Sequence, residues 1–104
     1  MNTVELWPSL SAIAAEVSSG NRSAVSQVKK ALLRIADSND TYNAVLQTIE
    51  TRALKRAEEI DAAIARGESV GKLAGVPFLA KDNYLTFGSA TTAGSNMLKG
   101  FKAP

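Results

Sequence analysis

Helical periodicity ends abruptly two thirds of the way along this chain. Before Gly67, apolar residues recur every three or four positions in three successive stretches, the spacing of one helix face. Beyond it, Gly71 and Pro77 interrupt any helical pattern. With 104 residues the chain is long enough for one domain. We therefore divide it into a helical region, residues 1–69, and a strand and loop region, residues 70–104, that form the N-terminal portion of one domain.

Three residues with capping side chains precede the periodic stretches. Ser9, Ser23 and Thr48 are each predicted to accept a hydrogen bond from the first turn of a helix. The first helix is expected to stop at Gly20 and the third at Gly67, since glycine adopts the left-handed conformation that ends helices.

The remaining segments predict turns and short strands. Residues 38–43, SNDTYN, are typical of a turn, and residues 44–48 of a strand. The apolar run 76–80 predicts a buried strand, and a short helix is expected around residues 96–99. The chain is thus expected to be mostly helical, with about three helices and one or two short strands. Because so few strands bury little surface, we expect them to join a larger sheet.

The charge and the missing residue types exclude several functions. Net charge is +2, from 12 basic and 10 acidic side chains, without the concentrated basic face that nucleic-acid binding requires. Cysteine and histidine are absent, so disulfides, thiolate metal sites and a histidine base are excluded. No secretory signal and no apolar stretch of about 20 residues is present. We expect a soluble, cytoplasmic chain without membrane contact or a cofactor of its own.

Two further motifs do not support a binding site. Neither lysine segment matches a phosphate-binding loop, because Gly67 and Gly71 before Lys72 are one residue too close, and Lys81 is preceded by Ala80 instead of glycine. The carboxylates of Glu58, Glu59 and Asp61 point in different directions on a helix, so a solvated helix face is the better interpretation than a metal site.

Lys81 is the residue that invites a chemical interpretation. It ends the apolar run in GVPFLAKDN, residues 75–83. It is either a solubilising charge that closes a strand or an amine that an apolar wall keeps neutral, able to take a proton from a serine. Composition alone favours the first interpretation.

The residues around Lys81 resemble the amidase signature family, and within it the tRNA-dependent amidotransferases. The matching segment is LAGVPFLAKDNYLTFGSATTAGSNML, residues 73–98, and the helical residues 42–45 and 56–68 are similar as well. The resemblance implies an α/β parent fold, a mixed sheet flanked by helices. It also implies a Ser–Ser–Lys triad in which Lys81 is the base, with Asp82 and Asn83 as structural support.

The resemblance also implies partners. The glutamine-hydrolysing A subunits supply ammonia to a B subunit, which uses ATP and Mg²⁺ to convert Glu-tRNA(Gln) to Gln-tRNA(Gln). A small C subunit stabilises the A–B pair. We expect this chain to take glutamine as its substrate and to meet the tRNA mainly through the B subunit.

The two catalytic serines of the family lie beyond the region that corresponds to residues 1–104, and Ser89 and Ser95 do not match them. We therefore expect an N-terminal fragment that is inactive alone. The alternatives are a free-standing amidase-derived binding module and the N-terminal part of another amidase signature hydrolase. Unpaired strand edges also predict self-association or partial disorder after about Tyr84.

Overall fold

Three α-helices followed by a long irregular segment make up the described part of the chain. The computed structural model describes residues 8–86 and 88–102, and everything below refers to them. The helices are α1 (Leu10–Ser18), α2 (Ala24–Tyr42) and α3 (Glu50–Ala65), and a 3-10 helix spans Asn96–Leu98. The three predicted helices and the short one near residue 96 are confirmed.

Local capping explains where α1 and α2 begin. The Ser9 hydroxyl accepts a hydrogen bond from the amide of Ala12, and the Ser23 hydroxyl accepts one from Ser26, each at 3.2 Å. Gly20 follows α1 with a φ of 82°, a conformation that costs glycine little. These features were predicted because each depends only on neighbouring residues.

Helix α2 continues to Tyr42, so the predicted turn at residues 38–43 is wrong. The Ser38 hydroxyl donates to the Arg34 carbonyl at 2.7 Å, within the helix, instead of competing with it. The turn comes at Asn43, which has a φ of 49° and forms the C-cap. The polar side chains of this segment therefore support the end of the helix.

The start of α3 also differs from the prediction. The helix begins at Glu50 with Ile49 as its N-cap, and no side chain caps it. Thr48 lies one position too early to reach the first-turn amides, so its predicted capping role is wrong. Helix α3 ends at Ala65, with Arg66 as its C-cap and Gly67 at a φ of 75°, where the stop was predicted.

The predicted strands are absent from the described part of the chain. Residues 44–48 and 76–80 are irregular, and the one β-bridge among the described residues pairs Ala90 with Lys102. The run 76–80 is not buried either, since Phe78 is 85% and Leu79 68% exposed. A strand needs a neighbour for its backbone hydrogen bonds, and no described segment lies beside this run as a strand.

The hydrophobic core is small and lies where α1 meets α2 and α3. Its buried members are Ile13, Val17, Ala24 and Ala57, with larger apolar side chains packed partly buried around them. Val17 is completely buried, and Gly75 approaches it so closely that an added Cβ would lie 2.6 Å from its methyl groups. The segment after α3 is thereby docked onto α1.

No helix in the ranges 8–86 and 88–102 combines the length and the apolar character needed to cross a bilayer.

Asp61 links α3 to the start of α2. Its carboxylate accepts hydrogen bonds from the amides of Ala24 (2.7 Å) and Val25 (3.2 Å) and from the Ser23 hydroxyl (2.8 Å). Together with Ser23, it satisfies three of the four amides that a helix start leaves unpaired. The interpretation of residues 58–61 as a wholly solvated face is therefore wrong for Asp61, although Glu58 and Glu59 are exposed.

Replacing Asp61 with alanine is expected to lower the free energy of unfolding by about 1–2 kcal/mol, because the amide of the fully buried Ala24 loses its acceptor. Urea unfolding followed by circular dichroism measures this. The matched control is Glu58→Ala, which removes an exposed carboxylate three residues earlier. Equal effects of the two substitutions would contradict the capping role.

The contribution of Asp61 also depends on pH. Burial raises its pKa, but the hydrogen bonds from Ala24, Ser23 and Val25 outweigh this and hold the pKa below the ordinary value of 3.8. A carboxyl with a lowered folded-state pKa stabilises the protein above its unfolded-state pKa and loses that effect as the pH falls through the folded-state pKa. The stability difference between the wild type and Asp61→Ala should therefore shrink below about pH 3.8.

Candidate functional site

Lys81 lies on an exposed loop that follows the apolar run. Its carbonyl accepts a hydrogen bond from the amide of Tyr84 at 3.0 Å, which closes a tight turn directly after it. Its side chain is exposed and makes no ion pair or hydrogen bond with any residue of the described ranges. The apolar wall considered for this lysine is therefore not formed by the described residues.

Asp82 has a different environment from its neighbours. Its carboxylate accepts a hydrogen bond from the hydroxyl of Thr92 and another, at 3.1 Å, from the Thr92 amide. Its carbonyl accepts one from the amide of Ala93 at 3.0 Å. Asn83 is exposed, and its side chain has no hydrogen-bond partner in the described part of the chain.

The contacts with Thr92 also lower the pKa of Asp82. The hydrogen bond from the Thr92 hydroxyl, followed by the one from the Thr92 amide, holds the pKa of Asp82 below its ordinary value of 3.8. Desolvation acts in the opposite direction, and the amide of Ala93 adds a smaller lowering. Asp82 is therefore an anion at neutral pH, and its charge strengthens the hydrogen bonds that it accepts.

A second set of contacts holds the other side of this loop. Thr91 is buried, its hydroxyl donates to the Tyr84 carbonyl at 3.1 Å, and its amide donates to the Phe101 carbonyl at 2.9 Å. The hydroxyl of Ser95 accepts from the amide of Met97 at 3.2 Å, so it caps the 3-10 helix. The polar residues after Lys81 thus organise the loop backbone.

A sizeable apolar groove lies elsewhere in the described part of the chain. This apolar groove has a volume of about 730 Å³ and runs between α1, α3 and residues 69–78, with Leu10, Ile60 and Phe78 on its walls. Lys81 does not line it. Among the described residues, no group of three or more acidic side chains is arranged to hold a metal ion. Lys81 and this groove are therefore separate features.

The Amidase family model matches residues 26–104, from the first turn of α2 through the loop that carries Lys81, Asp82 and Thr92. The chain belongs to the amidase family. The resemblance seen in the sequence is thereby confirmed, and family membership implies a parent fold of the α/β class. The described residues contribute helices and a loop to such a fold, and no strand.

Curated relatives of this amidase chain include three from Francisella tularensis, each named as the A subunit of glutamyl-tRNA(Gln) amidotransferase. Those of subspecies novicida strain U112 and subspecies tularensis strain SCHU S4 are 43% identical over 90 residues, and that of subspecies holarctica strain LVS is 42% identical. Each alignment covers 86% of this chain and 18% of the relative. The chain thus spans about a fifth of the length of these relatives. Among solved structures, none matches it.

Sequence reasoning singled out Lys81 and Asp82 but missed the partner of Asp82. Thr92 lies ten residues further on, and no periodicity relates the two positions. The one available signal was that Thr91 and Thr92 belong to the motif shared with the family. The structure shows which hydroxyl of this pair meets the carboxylate and which is buried against Tyr84.

Proposed function

We propose that this chain is the N-terminal part of the glutamine-hydrolysing A subunit of a glutamyl-tRNA(Gln) amidotransferase. The observation that carries the proposal is the 43% identity to subunits of that name over 86% of the chain. The match to the family model across residues 26–104 supports it, because this range includes Lys81. In the proposed complex the B subunit uses ATP and Mg²⁺ to amidate Glu-tRNA(Gln), and the C subunit stabilises the A–B pair.

Lys81 is the base in the proposed mechanism. Its neutral amine takes a proton from a bridging serine, which takes the proton of a second, nucleophilic serine. The oxygen of this serine attacks the side-chain amide carbon of glutamine. The C–N bond then breaks, and the nitrogen leaves as ammonia after receiving a proton. Water finally hydrolyses the acyl-enzyme, which releases glutamate. Residues outside 1–104 supply both serines.

The exposure of Lys81 is consistent with this division of the site. A neutral amine is favoured where surrounding groups exclude water. The described residues leave the Lys81 side chain open to solvent, so its enclosure in the active enzyme comes from other parts of the enzyme. The same reasoning makes the 104-residue chain inactive when it is alone.

The proposal is tested by co-purifying the complete reading frame that includes residues 1–104 with the B and C subunits. Glutamine-dependent conversion of Glu-tRNA(Gln) to Gln-tRNA(Gln) is the expected result, whereas the 104-residue chain alone should release no ammonia from glutamine. Hydrolysis of other amides without tRNA amidation would favour a different amidase signature hydrolase. A stop codon directly after Pro104 would favour the free-standing module, whereas a GGSS-like segment there would favour the amidotransferase.

Self-association is expected when the 104-residue chain is studied by itself. Phe78 and the adjacent Leu79 are 85% and 68% exposed, and exposed apolar surface of this kind favours association. Sedimentation velocity should show oligomers that Phe78→Glu shifts towards the monomer. Tyr42→Glu, which changes an exposed aromatic residue at the end of α2, is the control. A monomeric wild type would contradict this expectation.

A further inference from the structure

Two adjacent residues on one side of a loop are anchored to a single aspartate. The hydroxyl and the amide of Thr92 both donate to the Asp82 carboxylate, and the amide of Ala93 donates to the Asp82 carbonyl. The three hydrogen bonds join positions ten and eleven residues apart and make residues 82–93 a closed loop. Asp82 follows Lys81 in the sequence, so the loop closes at the residue next to the proposed base.

A second connection holds the carbonyl side of Lys81. Its carbonyl accepts from the Tyr84 amide at 3.0 Å, and the Tyr84 carbonyl accepts from the hydroxyl of the buried Thr91 at 3.1 Å. Both threonines of the pair 91–92 therefore hold the turn at Lys81, one through Tyr84 and one through Asp82. By contrast, the Lys81 side chain itself touches none of the described polar groups.

We propose that Asp82 and Thr92 act as a pair of positioning residues. Their hydrogen bonds set the direction in which the Lys81 side chain projects from the backbone. The inference rests on the proposed function, in which Lys81 is the base. A lysine side chain has many rotamers, so fixing its backbone removes part of the conformational search. Proton transfer requires a separation near hydrogen-bond distance, so a small displacement of the base carries a large loss of rate.

Hydrogen–deuterium exchange of the 104-residue chain, read by mass spectrometry, tests whether the pair closes the loop. Thr92→Val removes the hydroxyl and keeps the shape, and we expect residues 82–93 to exchange about tenfold faster or more, since a charge-assisted hydrogen bond is lost. Thr92→Ser retains the hydroxyl and should stay close to the wild type. Thr86→Val is the matched control, because its hydroxyl makes a longer contact, 3.4 Å, with the Tyr84 carbonyl. Exchange in α2 should not change in any variant.

Kinetics of the complete enzyme test whether the closed loop positions the base. Thr92→Val is expected to lower kcat for glutamine hydrolysis about tenfold or more, with KM little changed, and Thr92→Ser to restore it. Wild-type exchange or wild-type kcat in Thr92→Val, together with an inactive Lys81→Met, would overturn the positioning role and leave the proposed function intact. Hydrolysis that survives Lys81→Met would overturn the role of Lys81 as the base and, with it, the positioning role.

Discussion

Glutamine hydrolysis by the proposed enzyme should be abolished when Lys81 is replaced by methionine. Methionine fills similar space but cannot accept a proton, so the proposed relay through the serines loses its base. We expect kcat to fall about 10³-fold or more, because removing one member of a catalytic triad disables the unit. Ammonia release from glutamine, with the purified complex, is the measurement.

Two matched variants separate loss of the base from other causes. Lys81→Arg keeps the positive charge but does not deprotonate, so we expect it to be inactive as well. Lys72→Met makes the same substitution at another exposed lysine and should retain activity. The Lys81 side chain makes no hydrogen bond or ion pair with the described residues. Its substitution should therefore leave the midpoint of thermal unfolding nearly unchanged. Retained hydrolysis in Lys81→Met would mean that this residue is only a solubilising charge after an apolar run.

Gly75→Ala is expected to have the largest effect on stability. The added methyl group would lie 2.6 Å from both γ-methyl groups of Val17, which is completely buried, and Gly75 has a φ of 82°. Overpacking costs about 1–3 kcal/mol and a left-handed conformation about 1–2 kcal/mol for alanine. We therefore expect the free energy of unfolding to fall by about 2–4 kcal/mol, measured by urea titration.

The clash can be separated from the backbone effect with a double-mutant cycle. Gly71→Ala is the control, since a methyl group at Gly71 meets no atom within 4 Å and no positive φ is involved. Val17→Ala makes room for the added methyl group, so the double variant Val17→Ala/Gly75→Ala should cost less than the two single variants together. Additive effects would show that the backbone conformation alone is responsible.

The features that sequence predicted correctly depend on neighbours in the chain. Ser9 and Ser23 cap helices through amides three residues away, and Gly67 ends α3 through its own φ. The failures have a different origin. Asp61 looked like part of a solvated face because its partners at the start of α2 are 36 to 38 residues away in sequence. A pattern of charges along one helix carries no sign of such a partner.

The predicted strand at residues 76–80 failed for a related reason. Apolar composition favours an extended, buried segment, but burial requires a second surface, and Phe78 and Leu79 have none among the described residues. The 90 residues that the relatives share with this chain make up 18% of the relatives' length. Composition therefore indicated the preference of the segment but not what lies against it.

The sequence by itself determined the three helices, two of their caps and the motif that makes Lys81 the candidate base, because local hydrogen bonds and side-chain order suffice for these. Tertiary structure alone decided that Gly75 must lack a side chain against Val17, that Asp61 caps a distant helix, and that Thr92 holds the residue beside Lys81. Each of these contacts joins residues far apart in the chain. Distance in space, which sequence order does not encode, is the physical quantity that decides them.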